Sequence, residues 1–287
     1  MSAPLLVVDA PSMLFRAFYA LPKTIVGADG KPVNALLGAA NLVLREVEAH
    51  RPRAVAMCFG PDAAHYRTEL YPGYHETREE EMPEELEPQF AACRPFFEAF
   101  GWTVASSEDL EADDVLGTLA RREEEAGGQT LILTGDRDMY QCATAAVTVL
   151  YVRTGGKGAE EVGPDGVRER YGIDPELVPD FIALRGDPAD GLPGAKGVGP
   201  KTAAELLRKH GSLEAILDAA IRERRPKLRA ALIEGREEIL AFKQIATLRD
   251  AGVEPPPDRA TDWAGAAAAA RERGMNRLAE RLEAAAG

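Results

Sequence analysis

QTLILTGDRDMY, residues 129–140, is an apolar run that ends in two carboxylates, Asp136 and Asp138. An unbroken run of this length reads as a strand buried on both faces, as in a parallel sheet. LLVVD at 5–9, RAVAMCF at 53–59, WTVAS at 102–106 and TVLYV at 147–151 repeat the pattern. Between them, segments 34–50, 84–100 and 112–126 carry helical spacing. The alternation predicts an α/β fold with crossover helices, and such sheets bind ligands beyond the carboxyl ends of their strands. No strand-like run follows residue 165; helical spacing recurs at 164–171, 175–185, 200–209, 212–220 and 235–248. The expected organisation is an α/β domain over 1–165, a helical region over 166–250 and a helical tail over 251–287, where alanines 266–270 favour helix.

A chain of 287 residues buries most of its surface and needs no disulfide or structural metal to fold. Cys58, Cys93 and Cys142 are odd in number and widely spaced, which excludes a zinc ribbon or disulfide scaffold and suits a reducing cytosol. No apolar run approaches the ~18 residues of a membrane span. The start, MSAPLLVVDAPS, lacks the basic residues of a signal peptide. The net charge of −13 argues, at face value, against a nucleic-acid partner.

The position of the acids changes that reading. Asp9 ends the first strand, Glu111, Asp113 and Asp114 follow the third, and Asp136 and Asp138 follow the fourth. Asp187 and Asp190 sit in a loop of the helical region. Taken singly, Asp9 or Asp113 reads as a helix cap. Eight carboxylates delivered to one edge repel each other unless cations hold them. Oxygen ligands without a histidine or cysteine set point to hard divalent ions rather than zinc. A two-metal site, which activates water and steadies a leaving oxygen, is the natural form. Counted without these eight acids, the chain's −13 falls to −5, so much of the imbalance is site chemistry.

GLPGAKGVGPKTAAELLRKHGSLEAIL, residues 191–217, is the second motif. Gly194, Gly197 and Gly199 permit a tight turn that feeds a helix opened by Lys201 and Thr202. A glycine turn at a helix N-terminus presents N–H groups to phosphate, and Lys196, Lys201, Arg208 and Lys209 add charge. The string is a helix–hairpin–helix pattern for sequence-independent binding of duplex backbone.

VVDAPSMLFRAF, EADDVLGTLA, LTGDRDMYQ and GDPADGLPGAKGVGPKTA together resemble the 5′-nuclease (flap endonuclease) family over roughly residues 5–250. The likeness is to the 5′→3′ exonuclease domain of bacterial DNA polymerase I and its stand-alone versions. The resemblance implies a PIN-like α/β domain, with a helical arch near 70–90, joined to a helix-three-turn-helix region. It implies cleavage near the junction of duplex and 5′ single strand with two Mg²⁺ or Mn²⁺ ions. Asp9, Glu111, Asp113, Asp114 and Asp136 resemble the first-metal group, and Asp138, Asp187 and Asp190 the second. Arg16 resembles a basic residue near the scissile phosphate. Arg78, with His75 when charged, is implied to stabilise developing charge. Tyr74, Lys196, Gly197, Gly199, Lys201 and Thr202 are implied to bind DNA, and Gly194, Gly197 and Gly199 to hold K⁺ through their carbonyls. The expected substrates are DNA with a 5′-flap, a 5′-overhang or a nick, extending to RNA-containing 5′ ends. The expected setting is a stand-alone monomer in the bacterial cytosol, on the nucleoid, working beside a DNA polymerase and no membrane.

Two departures carry expectations of their own. The family's Phe-Asp pair after the second strand is Phe59-Gly60 here, with Asp62 nearby. The lost acid predicts weak first-metal binding, eased in Gly60→Asp; alternatively glycine serves a turn and Asp62 substitutes. His75 stands where lysine is expected, and the arch segment YHETREEEMPEEL is acidic, which reads as a solvated face. These departures also motivate a rival reading, a structure-specific DNA-binding protein with lost or weak cleavage. A second rival, an aspartyl-nucleophile phosphatase, wants an acid at position 11, where Pro11 stands.

Overall fold

The computed structural model describes residues 3–76, 82–153 and 158–287. Its sheet comprises β1 (Leu5–Asp9), β2 (Ala54–Phe59), β3 (Thr103–Ser106), β4 (Thr130–Thr134), β5 (Val147–Val152) and β6 (Ala159–Val162), in spatial order β3-β2-β1-β4-β5-β6. The first five are mutually parallel, and β6 pairs antiparallel to β5. Around the sheet lie α1 (Ala10–Ala20), α2 (Asn34–His50), α3 (His65–Leu70), α4 (Glu87–Glu98) and α5 (Ala112–Glu125). The helical region comprises α6 (Pro164–Tyr171), α7 (Val178–Arg185), α8 (Pro200–His210), α9 (Leu213–Ala219), α10 (Pro226–Glu234) and α11 (Arg236–Ala246). The tail forms α12 (Trp263–Glu272) and α13 (Asn276–Ala286).

Parallel strands buried on both faces split their side chains between two apolar layers. Leu5, Val7, Ala56 and Ile132 pack with α5 and with Phe181, Leu184 and Leu207 of the helical region. Leu6, Val8, Met57 and Leu133 pack with α1, α2 and α4. The helical region is therefore fused to one face of the sheet through a shared core. β6 reads AEEV, a polar edge strand with no apolar run to announce it.

The tail closes the other face. Ala266, Ala270, Met275, Leu278 and Leu282 share the apolar layer of Leu14, Leu36, Phe96 and Phe97. Its approach is fixed by Trp102 Nε1, which donates to Thr261 Oγ1 at 3.0 Å, and by Asp262 N, which donates to the Phe100 carbonyl at 2.8 Å. Leu282 is 1% exposed. Leu282→Ala is expected to cost about 2–5 kcal/mol. Urea unfolding of the whole chain checks this; an unchanged midpoint would mean the tail contributes nothing to the α/β core.

Candidate active site

Strand order reverses between β1 and β4, the switch point where open α/β sheets bind ligands. A cavity of about 980 Å³ opens there, lined by Asp9, Glu111, Asp113, Asp136, Asp138 and Asp190. Asp9 is the last residue of β1, Asp136 and Asp138 follow β4, and Asp113 lies in the first turn of α5. Asp190 arrives from the loop after α7. Phe15, Phe59 and Phe90 supply partly buried apolar wall, which lowers the local polarity and strengthens the interactions between these charges.

Short-range hydrogen bonds hold the acids in place. Asp9 Oδ1 accepts from Ser12 N at 3.0 Å, and Asp9 Oδ2 accepts from Thr134 Oγ1 at 2.7 Å. Asp9 is thus the cap of α1 and a wall of the cavity at once. Thr134 Oγ1 in turn accepts from Asp136 N at 2.9 Å, and Asp136 Oδ1 accepts from Asp138 N at 2.8 Å. Asp187 accepts from Arg185 Nη2 at 2.9 Å and from Ala189 N at 2.9 Å, and it lies outside the cavity lining.

Burial raises the pKa of Asp9, although Thr134 and Ser12 counteract it. Burial and then the charge of Asp190 push Asp136 up to about 6. Asp113 and Asp138 rise well above the usual carboxylate range, through burial and then through Asp136. Mutual repulsion in a desolvated space is relieved by protons or by cations. Among the described residues no three His, Cys, Asp or Glu side chains stand close enough together, as placed, to hold an ion by themselves. Carboxylates spread around a cavity suit a cation such as Mg²⁺, which keeps several waters and takes few protein ligands. The donor set therefore fits divalent ions.

Several expected site residues are placed differently. Asp114 is 0% exposed and turned out of the cavity. Its Oδ2 accepts from Arg67 Nη2 at 3.0 Å and from Glu111 N at 3.2 Å, and its Oδ1 accepts from Arg249 N at 2.7 Å. Consecutive helical residues point about 100° apart, and here Asp113 lines the cavity while Asp114 is turned to Arg67. Tyr74 is 4% exposed and donates to Glu111 Oε2 at 3.0 Å, so its hydroxyl is spent inside the protein rather than on DNA. Arg67 was not anticipated from the sequence. It lies 2.5 Å from Glu111 Oε2 and is buried on α3, a helix of six residues too short to show periodicity. Arg16 donates to the Gly135 carbonyl at 2.9 Å, and its charge acts on Asp9. His75 Nε2 lies 3.3 Å from Asp190 Oδ1. Arg78 lies outside the described residues.

In the glycine motif, Gly194 has φ +67° and packs directly on Gly186, where a Cβ would come within 2.2 Å of Gly186 N. Lys196, Gly197, Gly199 and Lys201 are exposed at the N-terminus of α8, while Ala195 and Val198 anchor the turn in the core.

The surroundings of Gly60 favour the second of its two readings, a glycine required by the backbone, over a simple lost acid. A Cβ there would lie 2.3 Å from the Leu110 carbonyl and 2.7 Å from Ala112 N, the backbone that carries Glu111. Glycine is required by this close approach, and an aspartate cannot be added without moving the site it should serve. Gly60→Ala and Gly60→Asp are each expected to destabilise by about 1–3 kcal/mol, the usual cost of overpacking. Gly60→Asp should raise the Mg²⁺ requirement rather than lower it. Denaturant midpoints and Mg²⁺ titrations check both statements; a stable Gly60→Asp with an eased requirement would restore the lost-acid reading.

Comparisons with known proteins agree along the chain. Residues 4–172 match the 5′-3′ exonuclease N-terminal resolvase-like domain, and 173–261 match the 5′-3′ exonuclease C-terminal SAM fold. A 5′-3′ exonuclease of Mycobacterium tuberculosis is 40% identical over 77% of this chain and 74% of its own length. One of Streptomyces coelicolor is 36% identical over 89% of each chain. DNA polymerase I of Mycobacterium bovis is 36% identical over 88% of this chain, which spans 28% of that longer protein. Two solved structures share the fold at low identity. Zinc-bound T5 5′-exonuclease has TM-score 0.70 and 17% identity, over 99% of this chain and 100% of that one. The Rad2 catalytic core with DNA substrate has TM-score 0.65 and 13% identity, over 100% and 92%. Matched through both of its domains, the chain belongs to the 5′-3′ exonuclease family and is a nuclease.

Proposed function

We propose that this nuclease cuts DNA at 5′-flaps, 5′-overhangs and nicks with two Mg²⁺ or Mn²⁺ ions in the carboxylate cavity. The observation that carries the reading is the gathering of Asp9, Asp113, Asp136, Asp138 and Asp190 at the switch point, where burial raises the pKa values of the first four. Solved relatives of the same fold support it, among them a T5 flap endonuclease complexed with DNA and metal ions. Asp9, Asp113, Asp136, Asp138 and Asp190 would hold the ions, with Glu111 and Asp187 beside them. When bound, the ions supply Lewis acidity toward the phosphate and lower the pKa of water.

The protein's own groups do the rest. Lys196 and Lys201, with Gly197, Gly199 and Thr202 at the start of α8, hold duplex phosphates on N–H groups and charge. Carbonyls of the 194–199 turn take K⁺ in this reading. Arg16 and Arg78 bring positive charge to the cut phosphate. One chain carries the whole acid set, which supports a monomer. The polymerase I relatives, in which a region similar to this chain is part of a longer protein, support a polymerase partner and a place on nucleoid DNA. RNA-containing 5′ ends are included in this reading because the groups named for binding are ones that hold phosphates.

On a labelled 5′-flap, Asp136→Ala and Asp190→Ala are each expected to slow cleavage by about 100-fold or more while flap binding persists, because metal assistance is worth several kcal/mol. Near-normal turnover in either variant would overturn the metal assignment. Lys201→Ala should reduce the slope of log affinity against log salt by about 1, since each neutralised phosphate releases counterions. An unchanged slope would place the duplex elsewhere.

A further inference from the structure

We infer that His75 supplies a nitrogen donor beside Asp190, so that the ion at this position is a transition-series divalent cation in preference to Mg²⁺. The inference rests on the reading of the carboxylate cavity as a metal centre and assigns the donor that sets its selectivity.

Among the described residues, His75 is one of two non-glycine residues with positive φ, at +59°. That left-handed turn lets its backbone N donate to the Asp190 carbonyl at 3.0 Å while its ring turns toward the Asp190 carboxylate. The ring lies flat on Tyr74, with centroids 4.0 Å apart and planes at 17°. The side chain is only 7% exposed, yet it lines the cavity. The imidazole is therefore held in one orientation by packing, as a built ligand is.

The Nε2 to Asp190 Oδ1 separation of 3.3 Å is long for a hydrogen bond. It matches two neighbouring ligands of a single ion: with bonds of about 2.0–2.2 Å, adjacent donors stand about 3.0–3.5 Å apart. A second observation points the same way. Nδ1 is buried and makes no hydrogen bond. Asp62 Oδ2 stands 4.0 Å from it, on a side chain that is 76% exposed. A metal-bound histidine donates its other N–H to a carboxylate, which fixes the ring and strengthens the donor. Asp62 thus stands on the Nδ1 side of the ring and Asp190 on the Nε2 side, with Asp62 at 4.0 Å a nearby charge rather than a hydrogen-bond acceptor. Imidazole suits transition metals, whereas carboxylate and water alone suit Mg²⁺. Two protein donors with water in the remaining positions require no closed cage.

Co²⁺ titrated into the full-length protein tests this by proton NMR and calorimetry. A Co²⁺-bound imidazole shows a strongly shifted, solvent-exchangeable N–H proton. The signal should be present in the parent, absent in His75→Asn, and retained in His65→Asn, which removes the exposed imidazole beside Glu69. Asparagine tolerates the left-handed backbone, and a parent-like unfolding midpoint confirms the fold of His75→Asn. The Co²⁺ midpoint should rise about 10-fold or more in His75→Asn and in Asp62→Ala, and the Mg²⁺ midpoint less than about 2-fold. Co²⁺ bound without the shifted proton, or equal losses of Co²⁺ and Mg²⁺ affinity, would overturn the inference and leave the metal centre standing. Failure of the parent to bind either ion would overturn both.

Discussion

Repulsion among Asp9, Asp113, Asp136, Asp138 and Asp190, packed where water is scarce, is the constraint around which this protein is built. A fold optimised for stability alone would not collect these charges at one edge of its sheet. The strand order supplies the meeting point, and the hydroxyl of Thr134 ties Asp9 to the backbone of Asp136. The remaining repulsion is left for cations to relieve, which is the usual trade of stability for function at an active site.

Behind this group stands a layer in which charge is balanced. Arg67 lies between Glu111 and Asp114, and Asp114 also accepts from Arg249 N at the end of the helical region. Thr118 Oγ1 accepts from Ala251 N at 2.8 Å one turn farther along α5. The first turn of α5 is thereby fixed from α3 and from the segment after α11. Removing one partner of such a buried cluster costs about 3–5 kcal/mol, because it leaves a charge unpaired. The same cluster directs Asp113 into the cavity by holding Asp114 out of it.

Much of this was legible from residues 5–9, 129–140 and 112–126, because strands buried on both faces are unbroken apolar runs and because acids following them mark the binding edge. Other features left no such trace. β6 is polar, and α3 is a single short helix whose Arg67 reads as a surface residue until its partners are seen. Asp113 and Asp114 are chemically identical neighbours whose roles diverge only through helical rotation. Gly60 read equally as a missing ligand or as a turn residue, because the approach of Leu110 and Ala112 is a long-range contact absent from local sequence. The tail was recognisable as helix from its alanines, but its place over Phe96 and Phe97 was not.

The central claim, that the carboxylates are gathered at a cost in stability in order to hold cations, is tested most directly by thermal unfolding of the parent and Asp136→Asn, each with chelator and with Mg²⁺. The account predicts that Asp136→Asn is more stable than the parent in chelator, because a repelling charge is gone. It also predicts that Mg²⁺ raises the parent's midpoint and raises the variant's much less, since a ligand bound only by the native state stabilises it. A variant less stable than the parent in chelator, with the same Mg²⁺ increment, would contradict the account.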